Sequence, residues 1–295
     1  MRKFSYRYTD GYDLINQRHN VKSFLEQQTN IIDLEYNALL INLQHILEKK
    51  NIQKLSLKLY KIPSEDILLM SSESVVHLNL AFDQITIKRS YNLINRFCKI
   101  FPNLRKLELG ALNRLGSILK IDLTLDGLLL LKEVEIWSLR QSMLKEIKIG
   151  QALVKIKMYP VEGDEPANVN VWNNFAICNP NIQELELEDF PDYDILKTIV
   201  IGMKNLKVLS FGSSECRAIN FDETVLDIIK TNCKHLRRLH IFMDLNDVNE
   251  KMMISNKFQD EVEIVLTHCD FIVYECTSDE TATDPISSSN ESYNE

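Results

Sequence analysis

Apolar residues recur along this chain on one short template, apolar-x-x-apolar-x-apolar, with polar and charged residues threaded between them. Ten segments fit it: "IIDLEY" (Ile31, Leu34, Tyr36), "IQKLSL" (Ile52, Leu55, Leu57), "VVHLNL" (Val75, Leu78, Leu80), "LRKLEL" (Leu104, Leu107, Leu109), "LKEVEI" (Leu131, Val134, Ile136), "LKEIKI" (Leu144, Ile147, Ile149), "LVKIKM" (Leu153, Ile156, Met158), "IQELEL" (Ile182, Leu185, Leu187), "LKVLSF" (Leu206, Leu209, Phe211) and "LRRLHI" (Leu236, Leu239, Ile241). Alternation over the last three positions is the pattern of a strand, whose successive side chains point to opposite faces. With the middle apolar residue as marker, the steps run 21 from Leu34 to Leu55, then 23, 29, 27, 13, 9, 29, 24 and 30. Seven of the nine fall between roughly 20 and 30 residues, room for a strand, a turn and a returning helix. The steps of 13 and 9 leave no room for that helix, so residues 138–160 read as a hairpin or a distorted insertion.

Between the ladders the period changes from two to about 3.6, the change that separates strand from helix. "ALLINLQHILEKK" (38–50) places Leu39, Leu40, Leu43, Ile46 and Leu47 on one face, and "DETVLDIIKTNC" (222–233) does the same with Val225, Leu226, Ile228 and Ile229. A helix over 64–70 starts from Ser64 after Pro63, with Glu65 and Asp66 in its first turn, where carboxylates complement exposed backbone N–H groups. A single strand-turn-helix unit cannot bury its own apolar face, so the units must stack. The expected fold is an α/β solenoid of about eight to ten repeats, a curved parallel sheet inside and helices outside. It is organised as an N-terminal segment (1–23), a repeat domain (24–276, irregular over 138–160) and an acidic tail (277–295) too poor in apolar residues to order itself.

"FDETVLDIIKTNCKHLRRLHI" (221–241) resembles the cysteine-containing leucine-rich repeat of F-box proteins, whose helix ends in Cys-Pro-x-Leu just before the next strand. "YNLINRFCKIFPNLRKLEL" and "NNFAICNPNIQELEL" are similar, and the resemblance covers most of residues 24–245. It implies a leucine-rich-repeat solenoid acting as the substrate receptor of a cullin-type (SCF-like) ubiquitin ligase, with the ligase adaptor and cullin as partners and ubiquitin-dependent degradation as the outcome. The polar residue that the family places three positions after the strand's last apolar residue corresponds here to Leu112, Phe190, Ser214 or Asp244. The F-box itself is not found in residues 1–50, part of which the ladder "IIDLEY" and the helix after it already occupy. "IPSEDILLM" (62–70) resembles the start of one, but no Val-Cys-Lys-x-Trp continuation follows and a repeat helix is due there. The alternative is a stand-alone scaffold or inhibitor that binds a partner protein without ligase coupling.

With 295 residues, 45% of them hydrophobic and 26% charged, the chain can bury a sizeable core. Its apolar runs are too short to span a bilayer, and the opening residues carry no secretory signal. The expected location is therefore the cytoplasm, the nucleus or both. Six scattered cysteines without CxxC spacing read as reduced thiols, not as a disulfide framework or a zinc site. Of the net charge of −8, five negative charges belong to 277–295, which leaves −3 for the rest and no basic excess for nucleic acid. No membrane, nucleic-acid, metal or cofactor site is expected, and no catalytic motif (GxGxxG, GK[ST], HExxH or a Cys with a nearby base) is present. The chain is read as a non-enzyme.

In the strand template the residues between the apolar positions share the face opposite the core, which in a solenoid is the concave binding surface. The residues expected to bind a partner there are Lys106, Glu108, Glu133, Glu135, Trp137, Glu184, Glu186, Glu188, Arg238, His240 and Phe242. Stacking of Glu133, Glu135, Glu184 and Glu186 would make an acidic patch suited to a basic ligand, against the plainer reading of a solvated sheet face. Trp137, at a strand end, reads either as a partner anchor or as core packing. Trp172 lies at helical spacing with Val169, Phe175 and Ala176 and reads as core.

Overall fold

Leucines spaced two apart bury one face of a strand and leave the other polar, and a slip of one residue would turn the whole apolar set to water. In the computed structural model this rule fixes the register of one large sheet. The structure describes residues 3–7, 23, 27, 30–37, 43–59, 65–82, 93–110, 121–125, 127–139, 144–160, 169–188, 193–212, 223–243, 248–258 and 262–268. The tail 277–295 and the expected polar positions Leu112, Phe190, Ser214 and Asp244 lie outside the described residues, as do Ser64, Cys216, Cys269 and Cys276.

The strands are β1 (Lys3–Arg7), β2 (Asp33–Asn37), β3 (Lys54–Leu59), β4 (His77–Phe82), β5 (Lys106–Gly110), β6 (Ile121–Thr124) and β7 (Glu133–Leu139). They continue with β8 (Leu144–Lys148), β9 (Lys155–Pro160), β10 (Glu184–Glu188), β11 (Val208–Gly212), β12 (Arg238–Met243) and β13 (Glu263–His268). The helices are α1 (Leu43–Leu47), α2 (Glu65–Leu68), α3 (Leu93–Cys98), α4 (Val169–Cys178), α5 (Tyr193–Gly202), α6 (Glu223–Asn232) and α7 (Val248–Phe258). Eleven strands form one open sheet in the order β1-β2-β3-β4-β5-β7-β9-β10-β11-β12-β13, and every pairing is parallel. This is an α/β fold, not closed into a barrel and compatible with a curved solenoid. The sheet begins at β1, inside the stretch 1–23 that the sequence pattern sets apart, and ends on β13, which pairs with β12 at the far edge.

Nine of the ten ladder segments are strands of this sheet, and their middle apolar residues pair directly: Leu34 with Leu55, Leu55 with Leu78, Leu78 with Leu107, and so on to Leu209 with Leu239. Strand entry repeats as well. The amides of Gln53 and Lys54 both donate to the Ile32 carbonyl, those of Val76 and His77 to Gln53, and those of Arg105 and Lys106 to Val76. The same step recurs as far as Arg237 and Arg238 on Lys207. Just ahead of it, Asn103 Nδ2 donates to the Glu73 carbonyl (2.8 Å), Asn181 to Gln151 (2.8 Å) and Asn205 to Pro180 (2.9 Å). Each of these asparagines precedes the first apolar residue of its ladder and ties one unit to the one before.

The irregular middle is neither a hairpin nor an insertion in the sheet. Val134 of β7 pairs with Ile156 of β9, a step of 22 residues, so the main-sheet spacing is regular throughout. The tenth ladder segment, β8, leaves the sheet and pairs in parallel with β6 as a separate two-stranded strip. Among the described residues, the seven connections from β2 to β5 and from β9 to β13 carry helices, whereas the two that follow β5 and β7 carry β6 and β8 instead. A lone two-stranded strip is marginal, and asparagines anchor this one at both flanks. Asn95 of α3 donates to Thr124 Oγ1 (2.7 Å), while the Asn179 side-chain oxygen accepts from the amides of Ile149 and Gly150 (both 3.2 Å).

The core lies between the helical layer and the apolar face of the sheet. Leu55, Leu78, Leu107, Ile156, Leu185 and Leu209 are fully buried and join one cluster with Leu43, Ile46, Phe97, Ile199 and Leu226 from the helices. Trp172 is in that cluster at 1% exposure, edge-on to Phe175, as its spacing predicts. Among the described residues no helix is long and apolar enough to cross a membrane.

Candidate functional site

The face of the sheet away from the core carries the polar residue of each alternating pair, and the parallel register lines these up in rows. One row runs Lys54, His77, Lys106, Glu133, Lys155, Glu184, and the next runs Ser56, Asn79, Glu108, Glu135, Lys157, Glu186. The expected acidic patch does not form as the sequence suggests. Strand β9 lies between β7 and β10, so Lys155 and Lys157 stand between Glu133–Glu135 and Glu184–Glu186. Lys155 Nζ is 2.8 Å from Glu184 and Lys157 Nζ is 2.7 Å from Glu186. The face is a set of cross-strand ion pairs, each modest at this degree of exposure.

Its most constrained group is Glu108. One carboxylate oxygen meets His77 Nε2 at 2.9 Å and Lys106 Nζ at 2.7 Å, and the other accepts from Asn79 Nδ2 at 2.7 Å. The hydrogen bond from His77, opposed by partial burial and reinforced by Lys106, pulls the carboxyl down to about 2 from an ordinary 4.5. Between those values the unfolded chain binds the proton and the folded chain does not. Glu108 therefore stabilises the fold at and above pH 4.5, and that contribution disappears as pH falls from 4.5 towards 2. Glu108→Gln is expected to cost about 1–3 kcal/mol near neutral pH. In urea melts across the acid range the gap between the two proteins should close below pH 4.5; a pH-independent gap would show that the carboxylate charge plays no part.

The aromatic residues sit at the ends of the strands. Trp137 is 44% exposed, so it is a surface residue and not core packing. One face of its indole stacks on Tyr159, with ring centroids 3.6 Å apart and planes 5° from parallel. The Tyr159 hydroxyl donates to Glu186 Oε1 at 3.0 Å, which ties the stack to the Lys157–Glu186 pair. Further along, the His240 and Phe242 rings lie 4.1 Å apart, His240 Nε2 is 2.6 Å from Thr267 Oγ1, and Arg238 Nε donates to Glu263 at 2.8 Å. Burial holds the His240 imidazole below its usual range, with Glu186 opposing and Arg238 reinforcing the shift.

The predicted residues therefore form two groups on one face. Lys106, Glu108, Glu133, Glu135, Trp137, Glu184 and Glu186 belong to strands β5 to β10, while Arg238, His240 and Phe242 lie on β12. Glu188 is in β10, and its side chain lies outside the described residues. Tyr159 and Lys157 were not singled out from sequence, although "KIKMYP" carries the alternation that places both beside the chosen residues.

Burial pushes the Cys98 and Cys233 thiols up to about 12, so neither is a nucleophilic thiolate at neutral pH. Among the described residues no three of His, Cys, Asp and Glu come together to hold a metal ion. What the face offers is area, paired charge and a fixed, exposed indole. No family model matches the chain, and no curated protein matches it significantly.

Proposed function

We propose that this chain is a leucine-rich-repeat solenoid, working in the cytoplasm or nucleus, that docks another protein on the polar, concave face of its sheet. The observation that carries the reading is Trp137: a large aromatic ring, 44% exposed and braced by Tyr159, on a face made mainly of polar and charged side chains. Aromatic anchors of this kind dominate binding energy at protein interfaces. The resemblance of the repeats to those of F-box proteins extends the proposal to substrate recognition for a cullin-type ubiquitin ligase. A second reading, a scaffold or inhibitor without ligase coupling, needs only the sheet face itself, whose first strands, β1 and β2, lie within residues 1–50.

Affinity capture from cells separates these readings when the wild type is compared with Trp137→Ala and with Lys204→Ala, a change at an exposed turn residue remote from the sheet face. A stoichiometric partner held by the wild type and Lys204→Ala but lost from Trp137→Ala is the expected result, with a loss of about tenfold or more in affinity. Equal capture by all three would remove the docking face from the account. Cullin and adaptor subunits in the captured material support the ligase role; a stable partner without them supports the scaffold.

A further inference from the structure

One face of the Trp137 indole is taken by Tyr159, and the surroundings of the other define what it can bind. The register that sets Leu109 against Ile136 brings Gly110 beside Trp137, and Ala81 pairs with Gly110 one strand further on. Neither residue carries more than a methyl group, so the indole stands over a shallow trough in the sheet surface. Glu135 and Glu133 precede Trp137 by two and four residues on the same face, about 7 Å and 14 Å along the strand. The close ion pairs of the nearby lysines go elsewhere, Lys155 to Glu184 and Lys157 to Glu186, and Lys155 and Lys106 act on Glu133 only at longer range. Glu135 has only Lys106 at 3.9 Å, and among the described residues Glu133 has no ion pair. The trough is therefore flanked by under-neutralised carboxylates and walled by a rigid π-face.

A planar cation satisfies both features at once: a guanidinium lies flat on an indole and still presents N–H groups to carboxylates, which an ammonium does less well. We infer that this trough binds an extended, arginine-bearing basic segment of the partner protein, one guanidinium resting on Trp137 and a neighbouring base facing Glu133 and Glu135. The inference rests on the docking reading above and adds the chemistry of what is docked. An acidic segment would meet the two carboxylates unpaired, and a purely apolar one would leave them without a partner. The Tyr159–Glu186 hydrogen bond holds the platform in place before binding, which lowers the ordering cost.

Fluorescence reads the site directly, because the chain has two tryptophans and Trp172 is 1% exposed, so acrylamide quenching reports Trp137. The full chain would be titrated with short Gly/Ser peptides carrying Arg-Gly-Arg, Lys-Gly-Lys, Phe-Gly-Phe or Glu-Gly-Glu. The arginine peptide should protect Trp137 from quenching and bind about two- to fivefold tighter than the lysine peptide. Its affinity should weaken with added salt and fall about fivefold in the Glu133→Gln/Glu135→Gln variant. Tighter binding by the Phe or Glu peptide, or no protection by the arginine peptide, overturns the inference. If that happens while Trp137→Ala still abolishes partner capture, the docking face stands and only its arginine specificity falls; a capture insensitive to Trp137→Ala removes the docking reading itself.

Discussion

Gly212→Ala is expected to lower the stability of the chain by about 3 kcal/mol or more, through backbone strain and overlap together. Gly212 ends β11 with a φ of +127°, a conformation that side-chain-bearing residues rarely adopt. It pairs with Phe242 of β12, and a Cβ added there would overlap the Phe242 backbone carbonyl. The neighbouring strand must therefore shift, and with it the His240–Phe242 ring pair at that end of the face. For a domain of this size the melting temperature should fall by roughly 6–12 °C. Gly127→Ala is the control: its added methyl would meet only Lys99 Cε at 3.7 Å, and the change should stay within about 0.5 kcal/mol. Equal melting of the two variants would contradict the close strand approach.

Asn179→Ala should be nearly as costly, about 2–4 kcal/mol, because Asn179 is 1% exposed and has every polar atom engaged. Its oxygen accepts the Ile149 and Gly150 amides, and its Nδ2 donates to the Phe175 carbonyl at 2.7 Å. Alanine strands two amides at the exit of β8, while the Phe175 carbonyl loses the side-chain bond and keeps the backbone amide of residue 179 at 3.1 Å. The β6–β8 strip loses one of its two asparagine ties to the helical layer and keeps the one from Asn95. Two residues on, Asn181 makes a single exposed bond to the Gln151 carbonyl, so Asn181→Ala should cost about 1 kcal/mol or less. Urea unfolding of the two variants checks the ranking, and hydrogen exchange should show the loss in Asn179→Ala concentrated at residues 144–150.

The main strands are legible in the sequence because each buries one face only, and leucines two apart are the direct trace of that. Two segments with the same alternation belong to different sheets: "LVKIKM" enters the main sheet as β9, whereas "LKEIKI" forms β8 in the outer layer. Local pattern cannot separate them, since a strand that replaces a returning helix has the period of any other strand. That ambiguity hid β9 from the site, and with it the lysines that divide the glutamates and the tyrosine that braces Trp137. The exposure of Trp137 was equally out of reach, because it depends on Gly110 on the adjacent strand and Ala81 one strand beyond. The asparagines before the ladders were in plain view in "FPNL", "NPNI" and "MKNL". Only the structure shows that their side chains reach back to the preceding unit.

The account turns on β7 and β9 being neighbours with β8 outside them, since this places Trp137 on Tyr159 and fixes the charge pattern of the whole face. Oxidative crosslinking of paired cysteines, read by mass spectrometry of the digested protein, tests it. Glu135 faces Lys157 directly across the β7–β9 pair, so Glu135→Cys/Lys157→Cys should crosslink readily while Glu135→Cys/Glu146→Cys does not. A crosslink between positions 135 and 146, with none between 135 and 157, would mean that β7 pairs with β8 and would contradict both the fold and the site.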